Sequence, residues 1–221
     1  MSPSPSEKVT LGPGVDVLLR AIRPDDKTLM KNAFEALTPE SRFQRFFAPV
    51  QRLNDSDLVY LTEVDHIDHE ALVAIDPDDG SLIGVARFVR TQIRDEAEVA
   101  IIVSDGWQGQ GLGTTLLQKL VRLAALQGIN YFLALVLTSN TSATGLFENL
   151  VPDMSRTISG EPGQVEIRIE LPGPVDFSGS LLARALGSSA RGTLRVSPWR
   201  RIRRRMARNR RRHRERTLPE G

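Results

Sequence analysis

The chain has 221 residues, 40% hydrophobic and 25% charged, enough for one globular domain with a core and tails. It contains no cysteine, which excludes disulfides, thiolate metal sites and a cysteine nucleophile. The net charge of +2 conceals an asymmetry: residues 191–221 hold 13 Arg against Glu215 and Glu220, a charge of +11, while residues 1–190 carry −9.

Residues 1–14 are rich in Pro, Ser and Gly and have no apolar stretch of signal-peptide type, so they read as a disordered N-terminus. Residues 15–22 read as a strand. Pro24 then suits a helix start, with Asp25 and Asp26 favourable in the first turn. Leu29, Met30, Ala33, Phe34 and Leu37 recur at helical spacing. Thr38-Pro39-Glu40 starts a second helical piece running to Phe47, and Asn54 or Asp55 caps a third, with Leu58, Leu61 and Val64 inward.

The pattern then changes to short apolar runs. Residues 71–75 and 82–89 flank the turn Asp76-Pro77-Asp78-Asp79-Gly80, which predicts a hairpin, and residues 99–103 form a further strand. Leu112, Leu116, Leu117, Leu120, Leu123 and Ala124 mark an amphipathic helix that ends at Gly128. Residues 131–137 predict a buried strand, Ser139 caps a helix to about Leu150, and residues 164–171 alternate as a last strand. The order predicts an α/β (α+β) fold, a mixed, mostly antiparallel sheet of six to seven strands flanked by helices, over residues 15–172. Residues 173–198 read as a linker, with a short helix at 178–186, and residues 199–221 as an Arg-rich tail. The longest apolar run, residues 131–137, is far below the roughly 20 residues a bilayer requires, so a soluble, cytoplasmic protein is expected.

Between a strand and a helix lies Gln108-Gly109-Gln110-Gly111-Leu112-Gly113-Thr114. Glycines let successive N–H groups converge, and the helix dipole adds positive potential, which together suit a pyrophosphate. The same glycines also serve a plain strand-to-helix turn. Two nucleotide motifs fail here. No Lys completes a Walker loop, and Thr114 stands where a dinucleotide fingerprint needs Gly or Ala.

The pattern Q/R-x-x-G-x-G/A, met by Gln108, Gly111 and Gly113, resembles the GNAT superfamily of N-acetyltransferases. The resemblance implies that Gln108 to Thr114 bind the pyrophosphate of acetyl-CoA as co-substrate, with no metal. It also implies that Ile101, Ile102 and Val103 lie on a strand that splays from its neighbour to pair with the pantetheine arm, one free N–H polarising the acetyl carbonyl. Asn140 matches a position that contacts the coenzyme, though it equally suits a helix start. Many members place a tyrosine acid where this chain has Phe147, and their Lys-Gly-Phe ending is replaced by Asn149-Leu150-Val151-Pro152.

Leu37-Thr38-Pro39-Glu40-Ser41-Arg42-Phe43, Arg45-Phe46-Phe47 and Ala97-Glu98-Val99-Ala100 are similar to bacterial Pat-type protein lysine acetyltransferases. In many of those the domain is fused to a cyclic-nucleotide or ligase domain, for which 221 residues leave no room. Acyl transfer to an amine requires a base, and Glu98 sits where Pat-type and histone-type members carry a glutamate. Alternation puts it on one face with Ala100 and Ile102, and burial of that face would raise its carboxyl toward a useful base. The competing readings are a surface carboxylate and Glu96 on the same face. Arg42 and Arg45 lie on the piece that borders the acceptor cleft in the family, and Trp107 either packs on the coenzyme or seals the core. His66 and His69 read as part of a solvated acidic loop rather than a metal site.

These readings lead to direct acetyl transfer to a primary amine, a protein lysine ahead of a small amine. A non-catalytic acetyl-CoA-binding protein is the alternative. Residues 191–221 suit nucleic acid or the ribosome first, then an anionic membrane or the chain's own acidic body.

Overall fold

The computed structural model describes residues 6–150, 155–158 and 162–171. The readings of residues 173–198 and 199–221, and of the Val151-Pro152 ending, lie outside the described residues. Among the described residues eight strands form one sheet: β1 (Glu7–Gly12), β2 (Val15–Ala21), β3 (His69–Ile75), β4 (Leu82–Arg90), β5 (Glu96–Val103), β6 (Tyr131–Leu137), β7 (Ser155–Ile158) and β8 (Gln164–Glu170). Their spatial order is β1-β2-β3-β4-β5-β6-β8-β7, and only β5 and β6 run parallel. The helices are α1 (Lys27–Ala36), α2 (Pro39–Phe46), α3 (Asp55–Thr62), α4 (Leu112–Leu126) and α5 (Thr141–Leu150). The mixed, mostly antiparallel sheet flanked by helices that the sequence predicts is therefore present.

The N-terminal segment differs from its reading as disordered. Glu7–Gly12 pairs antiparallel with β2 because Val9 and Leu11 alternate inward onto the core, and Gly14, at φ 75°, completes the hairpin. Its outward residues are tied as well, Lys8 to Asp16 at 2.8 Å and Thr10 Oγ1 to Asp16 at 2.6 Å.

The sheet has a core on each face. On one, α4 packs Leu112, Leu116, Leu117, Leu120 and Ala124 against Ala86, Phe88, Ala97 and Val99. On the other, α1 to α3 bring Met30, Phe34, Phe46, Leu58 and Leu61 against Ala71, Val73 and Val85. Local signals set the helix starts. Thr38 accepts the Ser41 N–H, and Asn54 accepts the Asp57 N–H in a reciprocal capping box. Asp26 turns inward from its helix start to hold Arg20 at 2.6 Å and the Arg23 N–H at 2.8 Å. Among the described residues no helix is long and apolar enough to cross a membrane.

The first turn of α4 lies close on the sheet because β4 carries Gly84 beneath it. A Cβ there would stand 3.0 Å from Leu116 Cδ1 and 3.3 Å from Leu112 Cδ2, both fully buried. Gly84→Val is expected to destabilise the fold by about 1–3 kcal/mol through overpacking, read as a lower denaturant midpoint with an unchanged m-value.

Candidate functional site

The parallel ladder between β5 and β6 is short. Its register runs from Glu96–Tyr131 to Val99–Ala134 and stops, although β5 stays paired with β4 to Val103 and β6 stays paired with β8 to Leu137. Ser104 N–H donates to Ile83 C=O and Thr91 N–H to Glu96 C=O, so even-numbered residues of β5 bond toward β4 and odd-numbered ones face β6. The rung that would join Ile101 N–H to Leu135 C=O is not made. Ile101 and Val103 thus present backbone groups to a gap, which widens into a cleft of about 910 Å³.

One end of the cleft is closed by the glycine loop. A 3-10 turn (Asp105–Trp107) leads into Gln108, and Gly109 and Gly111 take φ of 76° and 84°, which side chains rarely adopt. Gly111 precedes α4, whose first backbone bond runs from Thr115 N–H to Gly111 C=O. The N–H groups of Leu112, Gly113 and Thr114 therefore have no intrahelical acceptor, and the dipole of this 15-residue helix favours an anion there. Gln108 does not point its amide at that anion site: Nε2 donates to Val103 C=O and to Asp105 Oδ1, each at 3.1 Å. Across the cleft, Asn140 Oδ1 accepts the Ala143 N–H at 3.0 Å. Asn140, not Ser139, therefore caps α5, because the helix begins at Thr141 and only the preceding side chain reaches its third N–H.

The wall of the cleft on the α1–α3 side carries charged groups. Ala97, Val99, Ile101 and Val103 pack toward α4, so Glu98, Ala100 and Ile102 face the α1–α3 side. Glu98 is only 6% exposed and lines the cleft just before the strands part. Glu96 is equally buried but is engaged elsewhere, with Thr91 Oγ1 at 3.2 Å and Arg168 at 3.7 Å, and does not line the cleft.

Behind Glu98 lies a buried polar cluster. Arg87, opposite Ala100, donates through Nη2 to Leu61 C=O at 3.0 Å and through Nη1 to His69 Nε2 at 3.2 Å. Complete burial pulls its guanidinium down to about 10, so it remains charged at neutral pH. Burial first, and then the Arg87 charge, lowers the His69 imidazole to about 3. His69 is neutral, and because Nε2 accepts from Arg87 its proton is assigned to Nδ1. Tyr60 rests on the His69 ring at 5.0 Å. Burial raises its phenol, with Arg87 and Arg45 acting against that and Glu98 adding to it, which places all four groups in one electrostatic neighbourhood.

The cleft brings together Glu98, Ile101, Ile102, Val103, Gln108, Gly109, Gly111, Gly113, Thr114 and Asn140. It excludes two of the loop residues. Leu112 is fully buried in the α4 core, and Gln110 turns its amide back to Gly106 C=O at 2.9 Å. Arg45 and Trp107 line the cleft, but Arg42 is folded into the α1–α2 corner, bonded to the Leu37, Glu35 and Gln51 carbonyls. His69 is not in a solvated loop: it opens β3 and packs between Tyr60 and Arg87. Among the described residues no group of His, Asp or Glu side chains is placed to hold a metal ion. Arg87 and Asp105 escaped the sequence reading. An arginine inside the apolar run of β4 is the signal that marks Arg87; Asp105 shows its partners only after folding.

The profile described as the Acetyltransferase (GNAT) family matches residues 29–150, more than half of the chain. Acetyltransferase Pat of Mycolicibacterium smegmatis is 33% identical over 159 residues, 72% of this chain and 46% of that protein, so the chain spans just under half the length of this curated relative. The GNAT domain of S. lividans PAT superposes with a TM-score of 0.69 at 32% identity, covering 75% of this chain and 97% of that one. A phosphinothricin acetyltransferase from Sinorhizobium meliloti, solved in complex with AcCoA, gives a TM-score of 0.56 at 19% identity over 70% of this chain and 88% of that one, a likeness of fold alone.

The depressed His69 makes the fold acid-sensitive. Above pH 6.5 the imidazole is neutral in both states. Below it the unfolded chain takes up a proton that the folded chain refuses until about pH 3, so stability falls by up to about 1.4 kcal/mol per pH unit in that window. His69→Asn is expected to reduce the stability loss between pH 7 and pH 5 by about 2 kcal/mol, measured by denaturant unfolding at the two pH values.

Proposed function

The chain belongs to the acetyltransferase (GNAT) family, and from that premise we propose that it moves an acetyl group from acetyl-CoA directly to a protein lysine, with Glu98 as general base. The observation that carries the reading is the position of Glu98. It is a buried carboxylate open to the cleft, one residue before the point where β5 parts from β6. Pat of M. smegmatis and the PAT domain of S. lividans support a protein lysine as acceptor in preference to a small amine.

Each element of the cleft has a role in that reaction. The free N–H groups of Gly113 and Thr114 receive the coenzyme pyrophosphate, and the unpaired edge at Ile101 and Val103 receives the pantetheine amides. The Ile101 N–H, lacking its partner on β6, is the donor available to the acetyl carbonyl as negative charge develops there. Glu98 takes a proton from the acceptor ammonium, directly or through one water, and the free amine attacks the thioester carbon. The adduct gives up the nitrogen's second proton to water as the C–S bond breaks, and the sulfur leaves as thiolate. Phe147, 3% exposed and lining the cleft, has no proton to give, so the thiolate is protonated by water.

The Arg-rich residues 191–221 are proposed to hold the enzyme on nucleic acid by counterion release. A chain lacking them is expected to lose the steep salt dependence of DNA or RNA binding while its acetyl transfer to a free peptide is retained. Equal binding by both chains would end that reading.

Glu98→Gln is expected to lower turnover by about 10²- to 10⁴-fold with acetyl-CoA affinity kept, whereas Glu96→Gln leaves turnover near wild type. Thiol release, calorimetry with acetyl-CoA and mass spectrometry of acetylated proteins measure these quantities. Unchanged turnover in Glu98→Gln removes the base assignment. Coenzyme binding without thiol release, for every amine and lysine-bearing protein offered, favours a non-catalytic binding role.

A further inference from the structure

The segment Leu37-Thr38-Pro39-Glu40-Ser41-Arg42 contributes no group to the transfer chemistry, yet it is tied to the coenzyme side of the cleft by one carboxylate. Thr38 N–H donates to Asp105 Oδ2 at 2.9 Å and Ser41 Oγ donates to Asp105 Oδ1 at 2.5 Å, contacts between groups 67 and 64 residues apart. The same Asp105 Oδ1 also accepts from Gln108 Nε2 at 3.1 Å, and that amide holds the Val103 carbonyl as well. Asp105 therefore joins three things: the end of β5, the first residue of the glycine loop, and the start of α2.

The two sides of this joint do different work. Val103 and Gln108 belong to the wall and loop that receive the coenzyme. α2 carries Gln44 and Arg45 along the opposite rim, and Phe47, at φ 52°, ends it in the left-handed region. α2 is anchored to α1 at its corner, where Arg42 bonds the Leu37 and Glu35 carbonyls. Asp105 is what fixes the helix start to the loop.

The chemistry of the joint calls for a carboxylate. Its three partners are all donors, and an ionised carboxyl accepts several at once in charge-assisted bonds. Burial works to raise the Asp105 carboxyl, but the bonds from Ser41, Thr38 and Gln108 outweigh it and hold the group below its ordinary value. A negative charge beside a loop built to receive an anion also opposes that anion. Its presence there follows from what it holds, not from what the loop binds.

We propose that Asp105 is a positioning residue that transmits coenzyme occupancy to the acceptor rim, through its bonds to Ser41 and Thr38. When pyrophosphate and pantetheine fix Gln108 and the end of β5, Asp105 is fixed with them, and α2 is held with Gln44 and Arg45 set for the acceptor. The proposal rests on the reading of the cleft as a coenzyme A site.

Hydrogen exchange of residues 38–47 in the full chain, with and without saturating coenzyme A, tests it. In the wild type the coenzyme is expected to slow exchange there by about threefold or more. Ser41→Ala and Asp105→Ala, saturated with coenzyme A as verified by calorimetry, are expected to lose that slowing. Ser41→Thr, which keeps the hydroxyl, retains it. No slowing in the wild type, or undiminished slowing in Ser41→Ala and Asp105→Ala, overturns the proposal. Failure of coenzyme A to bind the wild type at all would remove the coenzyme reading itself, and the proposal with it.

Discussion

The site exists because two neighbouring strands are each held more firmly by someone else. β5 keeps its antiparallel register with β4 to its last residue, and β6 keeps its register with β8. The parallel ladder between them is the weaker pairing and ends at Val99–Ala134. Sheet twist then carries the two strands apart. A row of backbone donors and acceptors that a complete sheet would have consumed is left for a ligand. Unpaired backbone groups are costly when buried, so this edge is stable only where water or a bound chain satisfies it.

Two further constraints convert that gap into a directed site. α4 must begin at the end of β5, and the positive φ of Gly109 and Gly111 allows the chain to turn sharply enough to aim its first N–H groups into the gap. Gly84 on β4 lets the same helix sit close to the sheet, so the core sets the height at which the loop begins. On the opposite face, a buried arginine and a neutral histidine stand behind Glu98. That cluster keeps a charge in the interior at a cost in desolvation, offset by the Leu61 carbonyl and the imidazole nitrogen. Its place, one strand behind a carboxylate that opens onto the cleft, accounts for where that cost is borne.

Much of this was legible in the amino-acid sequence because it is local. The 3.6-residue spacing of Leu116, Leu117, Leu120 and Ala124, the apolar run of β6 and the glycines at 109, 111 and 113 each encode their structure within a few residues. What was not legible depends on distant partners or on a single residue of offset. Residues 7–12 lie in a Pro- and Gly-rich stretch, and their strand forms only because β2 is beside them. His69 sits in an acidic segment that looks solvated, and it is Arg87, 18 residues on, that draws it inside. The α5 cap moved from Ser139 to Asn140, a one-residue shift that adjacent capping residues cannot decide locally. The Asp105–Ser41 contact spans 64 residues and leaves no periodic trace.

In the proposed reaction the parted edge of β5 and the first turn of α4 together receive the coenzyme. Titrating isotope-labelled protein with coenzyme A while following backbone amide resonances tests it most directly. The Ile101 and Val103 amides are expected to shift together with those of Gly113 and Thr114, while amides of the β1–β2 hairpin stay in place. Coenzyme A that binds and shifts a different set, leaving Ile101 and Val103 unmoved, would contradict it.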